Sequence, residues 1–230
     1  MFVGHYGAAL ALKGVEHRAS LGLLFLGVQF VDILFFPLVL AGIEQMNIVP
    51  DHTESTHFEL AYMPFTHSLL ASLLWAVLVS GVAFVVLGDR PRRRSIALVL
   101  GAAVFSHWVL DFIVHTPDLP LLGDASTKLG LGLWNNAMLT FFLEAAVLLG
   151  GLWFYLRATV PKAGSKLARF GMTGLVTALI ALNVYNLFGP PPSAFMEVFG
   201  LAMVSYLGLA GIAFWLDRLR PPVDEPARLR

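Results

Sequence analysis

Six apolar runs, each about 20 residues or longer, constrain this chain more than any other feature. They cover roughly residues 21–43, 65–87, 95–115, 133–156, 168–188 and 194–216. About 20 helical residues rise about 30 Å, the thickness of a bilayer's hydrocarbon core. Period-two alternation is absent, so the runs read as helices and not as barrel strands. Pro64 opens the second run and Arg90-Pro91-Arg92-Arg93-Arg94 separates it from the third. Pro117 and Pro120 follow the third, and Gly189-Pro190-Pro191-Pro192 divides the fifth from the sixth. Proline and glycine in these places end helices. The expected fold class is all-α: a polytopic membrane protein with six transmembrane helices in a single domain, 1–220, and a tail, 221–230.

Composition narrows the function classes. Hydrophobic residues make up 57% of the chain and charged residues only 13%, against about 25% charged in a soluble domain. Disorder and almost any soluble globular fold are excluded. Lys and Arg number 15 and Asp and Glu 15, so no basic excess points to nucleic acid, and none is expected as a partner. The chain has no cysteine, which excludes disulfides, thiolate zinc sites, iron–sulfur clusters and a cysteine nucleophile.

Sidedness follows from the cations. Lys13 and Arg18 precede the first run, Arg90 and Arg92 to Arg94 follow the second, and Arg157, Lys162, Lys166 and Arg169 follow the fourth. Arg218, Arg220, Arg228 and Arg230 end the chain. Only Lys128 falls on the opposite side, among Glu44, Asp51, Glu54, Glu59, Asp118, Asp124 and Glu197. By the positive-inside rule both termini are cytoplasmic, in a multi-pass protein of the inner (cytoplasmic) membrane whose first partner is the lipid bilayer. The first 19 residues lack the cation and cleavage site of a signal peptide. Phe2 to Leu12 is about half a span long. It is expected either to lie on the interface or to enter as a half-helix hairpin.

Ionisable groups at membrane depth cost roughly 2.5–3.5 kcal/mol each and ask for a reason. Asp32, His67, His107, Asp111, His115 and Glu144 lie in or at the ends of the apolar runs. Counted at about 1.5 Å per residue from the cytoplasmic edge, Asp32 and His107 lie at about 18 Å, Glu144 at about 20 Å, Asn183 at about 21 Å and Asp111 at about 24 Å. Four helices thus put polar groups in one layer. His107, Asp111 and His115 repeat at i, i+4, i+8 and form one stripe. His67 has a nominal height of about 30 Å, near the outer surface. His5 approaches the layer only in the hairpin arrangement.

Imidazoles and carboxylates without thiolate suit Zn(II), Mn(II) or Fe(II). Glu144, at the same depth, is placed to act as general base or acid. The bland alternatives are a hydrogen bond between His107 and Asp111 as helix glue, an interfacial His115 or His5, and a Glu144 paired with Asn183, Asn186, an arginine or a ligating histidine. His17, His52 and His57 read as solvated loop residues. Trp134 reads as an interfacial anchor, with a cavity rim as the alternative.

Gly4-His5, Asp32, Thr66-His67-Ser68 and Ser106-His107-Trp108-Val109-Leu110-Asp111 resemble the bacterial membrane-bound metal-dependent hydrolases, also described as LexA-binding, inner-membrane-associated hydrolases. The resemblance covers residues 1–120. It implies His5, Asp32, His67, His107 and Asp111 as metal ligands. The expected activity is hydrolysis of an ester or phosphoester of a lipid or amphiphile, with a divalent metal, zinc, as cofactor and Glu144 as the catalytic proton carrier. Two other readings use the same residues: a small proton- or cation-coupled transporter, and a non-catalytic membrane scaffold.

Overall fold

The computed structural model describes residues 1–223; Arg228, Arg230 and most of the expected tail lie outside the described residues. Eight α-helices dominate: α1 (Val3–Val15), α2 (Leu21–Val28), α3 (Phe30–Leu40), α4 (Leu69–Val86), α5 (Arg93–Val114), α6 (Ala137–Ala158), α7 (Lys166–Phe188) and α8 (Phe195–Asp217). Five of them, α4 to α8, are each long and apolar enough to cross a membrane. The expected first span, 21–43, is instead α2 and α3, meeting at a 49° bend. Counted together they make a sixth. Gln29 sits at the bend; it is fully buried and its amide donates to the Phe2 carbonyl oxygen at 3.3 Å. Pro37 lies inside α3 without ending it.

The all-α expectation needs one addition. The connection after α3 contains an antiparallel hairpin, β1 (Gln45–Ile48) with β2 (Phe58–Tyr62), with Ile48 opposite Phe58. A second small pair, β3 (Leu119–Pro120) with β4 (Lys128–Leu129), lies between α5 and α6.

Contacts between sequence-distant residues define two ends of the bundle. At the arginine-rich end Glu16 pairs with Arg92 at 2.8 Å, Lys13 with Asp217 at 2.7 Å, and Arg220 bonds to Thr159 and Ala168. At the loop-rich end the Ser55 N–H donates to the Trp134 carbonyl and the Ala137 N–H to Glu54.

α1 settles the open question about the N-terminal segment. It is a buried half-helix packed along α6, with Val3, Tyr6, Ala9 and Leu10 fully enclosed. The two backbones touch at Gly7 and Gly151. A Cβ on Gly7 would come within 2.6 Å of the Val147 carbonyl carbon, and one on Gly151 within 2.7 Å of the Gly7 carbonyl carbon. Only glycine permits this approach. Tyr6, Leu10, Phe25, Leu148 and Tyr155 continue the core between α1, α2 and α6.

Candidate metal centre

Each candidate ligand sits where local structure leaves its side chain free to point inward. His5 stands on the first turns of α1. Asp32 is in the first turn of α3, where the positive end of the helix dipole favours a carboxylate. His67 is not on a helix. It lies in the turn that precedes α4, and Ser68 caps that helix by accepting from the Ala71 N–H. This turn folds down from the loop-rich end, so the height read from position along a continuous span does not apply to His67. His107 and Asp111 are successive turns of α5, both buried.

These five residues converge. His5 Nε2 lies 3.2 Å from Asp111 Oδ1, and His107 Nε2 lies 3.0 Å from Asp111 Oδ2. His67 Nε2 is 3.3 Å from Asp32 Oδ1, and His107 Nε2 is 3.7 Å from that same oxygen. Two overlapping groups of donors are close enough to hold an ion: His5 with His107 and Asp111, and Asp32 with His67 and His107. His107 belongs to both. The His5 and His107 rings stack with centroids 4.0 Å apart.

The far sides of the rings are tied down. His107 Nδ1 lies 2.7 Å from the Val28 carbonyl oxygen, a group at the C-terminal end of α2 that the break before α3 leaves without a helical partner. A carbonyl only accepts, so this nitrogen carries the proton. His67 Nδ1 lies 2.8 Å from Thr66 Oγ1, and that hydroxyl gives its own proton to Glu44 Oε2 at 2.7 Å; the histidine must therefore donate to the hydroxyl. In both rings the neutral tautomer presents Nε2 as a lone pair toward the carboxylates. His107 Nε2 and both nitrogens of His5 are buried without a hydrogen-bond partner, and such atoms cost free energy unless something binds them. Among the described residues no lysine or arginine side chain pairs with Asp32, Asp111 or Glu144. The donor set therefore fits a divalent cation: nitrogen and oxygen ligands, buried and oriented by outer partners.

Two neighbours complete the wall. Tyr206 of α8 donates to Asp32 Oδ2 at 3.0 Å. The Met1 amino group lies 2.8 Å from Asp111 Oδ1. Glu144 does not reach an arginine; its Oε2 accepts from the Phe2 N–H at 3.2 Å and the Gly4 N–H at 2.9 Å. It thus holds the N-terminus of α1, the helix that carries His5.

Several residues differ from their expected places. His115 is not interfacial: it is 1% exposed, its Nε2 is 3.6 Å from Asp111 Oδ2 and its Nδ1 is 2.8 Å from Asp118 Oδ1. Its place at i+4 from Asp111 was the available signal. Trp134 packs against His115 with ring centroids 4.0 Å apart and planes tilted by 38° and lines the cavity described below, so it is rim and not only anchor. Glu44, read from sequence only as one of the acids of the outer loops, is buried and accepts from the Thr66 hydroxyl. His57 is a cavity-lining residue. Asn183 is buried with neither amide atom partnered. Tyr206 gave no sequence signal, since nothing separates it from the other aromatics of an apolar helix.

A cavity of about 370 Å³ runs from Asp32, Asp111 and Glu144 toward the loop-rich end. Its walls come from α3, the β1–β2 hairpin, α7, the triple proline and α8. Tyr185 and Leu201 line it and are also 64% and 62% exposed, so it opens on the flank of the bundle. No protein-family model, no curated protein and no solved structure matches this chain.

Proposed function

We propose that the chain is an integral membrane metal-dependent hydrolase acting on an ester or phosphoester of a lipid or amphiphile. The observation that carries this reading is the meeting of His5, Asp32, His67, His107 and Asp111, from α1, α3, α5 and one turn, in a cluster whose Asp32 and Asp111 line a flank-opening cavity. Likeness to the membrane-bound metal-dependent hydrolases in the same residues favours it too. In this reading α2 and α3 form one bent span, the chain crosses an inner membrane six times, and the arginine-rich end is cytoplasmic. Zinc is the metal that four or five such donors favour, and when bound it supplies Lewis-acid polarisation of oxygen ligands.

The chain's own residues do the rest. Thr66, Glu44 and the Val28 carbonyl keep His67 and His107 in the ligating tautomer. Tyr206 fixes one oxygen of Asp32. Glu144 lines the cavity beside the cluster, where it takes or gives the proton that hydrolysis moves. The apolar walls hold an acyl chain while its ester reaches the floor.

Metal analysis of purified protein, together with hydrolysis of a panel of lipid esters, tests the reading. Stoichiometric divalent metal that is lost in His107→Ala, and ester cleavage that disappears with it, is the expected result. Protein free of transition metal, equally so in wild type and His107→Ala, would defeat it.

A further inference from the structure

We infer that the cavity fills from the side: an amphiphile dissolved in the bilayer enters through a gap between α7 and α8, in the half away from the arginine-rich end. Taking this flank as lipid-facing rests on the proposed membrane hydrolase reading. The gap follows from how the two helices meet. Near the arginine-rich end they touch. A Cβ on Gly171 would come 2.7 Å from Leu216 Cδ2, and Arg220 Nη1 donates to the Ala168 carbonyl at 2.8 Å. From the Gly171–Leu216 contact the two antiparallel helices can be matched level by level. Leu182 and Asn186 lie 11 and 15 residues past Gly171, and Ser205 and Leu201 lie 11 and 15 before Leu216. All four line the cavity. The seam that is shut at Gly171 is therefore lined by cavity about 16–22 Å further on. Tyr185 on one helix and Leu201 on the other line the cavity and are also exposed outside, which puts both at its mouth.

The surroundings of the mouth are those of a hydrocarbon layer. Leu182 and Asn186 are 16 and 20 residues past Lys166, about 24–30 Å along α7, against a layer of about 30 Å. The large exposed side chains beside it are apolar: Val184 and Phe188 on α7, Val204 and Leu207 on α8. Asp111 counts to about 24 Å on α5, so the mouth and the cluster share a depth, and an ester moves sideways to reach it.

The loop-rich end is roofed. Met46, Phe58 and Leu60 of the β1–β2 hairpin line the cavity. Its connection is pinned to α6, where Ser55 Oγ donates to Thr140 Oγ1 at 3.2 Å and the Ala137 N–H donates to Glu54 at 3.1 Å. A solute from water meets this roof, whereas a chain dissolved in the bilayer meets the mouth. Inside, Phe35, Phe36 and Val198 give the chain apolar walls, so it leaves lipid without exposing apolar surface to water.

Photolabelling tests the route. The chain has no cysteine, so Asn186→Cys with Leu201→Cys gives one thiol pair across the mouth. The pair is bridged with bismaleimides of increasing length, and the protein is then placed in nanodiscs containing a phosphatidylcholine whose acyl chain carries a diazirine. Irradiation after a fixed short time, followed by peptide mass spectrometry, reads label on Phe35, Phe36 and Val198, which line the cavity and are at most 9% exposed. Unbridged protein is expected to carry label there. Bridging is expected to slow it by about 10-fold, since a closed route raises the barrier to entry. Ala202→Trp, which fills the mouth without a cross-link, should act as the bridge does, and Val204→Trp, on the exposed face of α8, should not. Label that reaches Phe35, Phe36 and Val198 at the unbridged rate after bridging, or in folded Ala202→Trp protein, overturns the inference. So does label confined to outward-facing residues in unbridged protein. Labelling needs no metal, so a metal-free protein would defeat the hydrolase reading and leave side entry standing, whereas unblocked labelling of metal-bound protein would do the reverse.

Discussion

Gly151→Ala is the sharpest perturbation of the link between packing and the metal cluster. The added Cβ would lie 2.7 Å from the Gly7 carbonyl carbon and 2.8 Å from its Cα, with the carbonyl oxygen nearer still. Ordinary contact requires about 3.5 Å. The atoms it meets are backbone, so no rotamer change relieves them. α1 must move off α6 by roughly 1 Å or more, at a cost of about 1–3 kcal/mol for overpacking. His5 is two residues from Gly7 on that helix and moves with it. Metal ligands tolerate about 0.2 Å, so His5 is lost as a donor and affinity falls at least 10-fold. The adjacent Gly150 is the control, since a Cβ there meets nothing within 4 Å. Gly150→Ala should be neutral or stabilise by up to about 1 kcal/mol through helix propensity. The assay is metal content after dialysis against a buffered competitor, read beside thermal unfolding in detergent. If Gly151→Ala kept both metal and melting temperature at the level of Gly150→Ala, the coupling of α1 position to the site would be wrong.

Three other outcomes are expected. Thr66→Val keeps shape but removes the hydroxyl between His67 Nδ1 and Glu44; metal affinity should drop by about 10–100-fold with unfolding little changed, measured by competition with a chromogenic chelator. Chelation should lower the thermal midpoint of wild type. Ligand linkage is worth about 2.7 kcal/mol at 100 times Kd, and the same treatment should leave His107→Ala unmoved. At the arginine-rich end, burial raises the Glu16 carboxyl, but hydrogen bonds from Ser95, Arg18 and Arg92 outweigh it and hold the group below its ordinary 4.5. A depressed carboxylate contributes stability above its unfolded value and loses it as pH falls through the folded one. The stability advantage of wild type over Glu16→Gln should therefore be full at pH 6 and shrink below about pH 4.5 in melts.

The long helices were legible because apolar length and helix breakers are local signals. α4 to α8 fall within a few residues of the runs read from sequence. The bend at Gln29 was not legible as a bend, because the partner Gln29 meets there, the Phe2 carbonyl, belongs to a distant segment. Depth counting brought Asp32, His107 and Asp111 to one layer correctly, since all three sit on helices. It misplaced His67, which sits in a turn, and it has no purchase on Glu44 or Asp118 for the same reason. Loops that fold back into a bundle carry no periodicity to read. His115 was within reach of the i, i+4 stripe, but its place at the last turn of α5 made it look like an interface residue.

The electrostatics of the helix ends explain why the cluster asks for a cation. Asp32 and Glu144 are each matched by a helix N-terminus, that of α3 for Asp32 and that of α1 for Glu144, where backbone N–H groups offset negative charge. Asp111 has the opposite placement. It lies in the last turn of α5, and the His115 N–H already bonds to its backbone carbonyl, so the helix field there disfavours a carboxylate. It is also buried, and four histidine Nε2 atoms, those of His5, His67, His107 and His115, approach within 4.0 Å of its oxygens. A neutral imidazole lone pair beside a carboxylate is repulsive, so histidine stacking alone does not stabilise this arrangement. The Met1 amino group puts one positive charge beside Asp111 Oδ1; further charge comes either as protons on the rings or as an ion between them. The Nδ1 partners of His67 and His107 already account for one proton on each ring. A second proton on those rings would need Nε2 to donate, and His107 Nε2 makes no hydrogen bond with acceptable geometry. An ion would accept lone pairs from imidazole and carboxylate alike, which turns each of these unfavourable contacts into a favourable one.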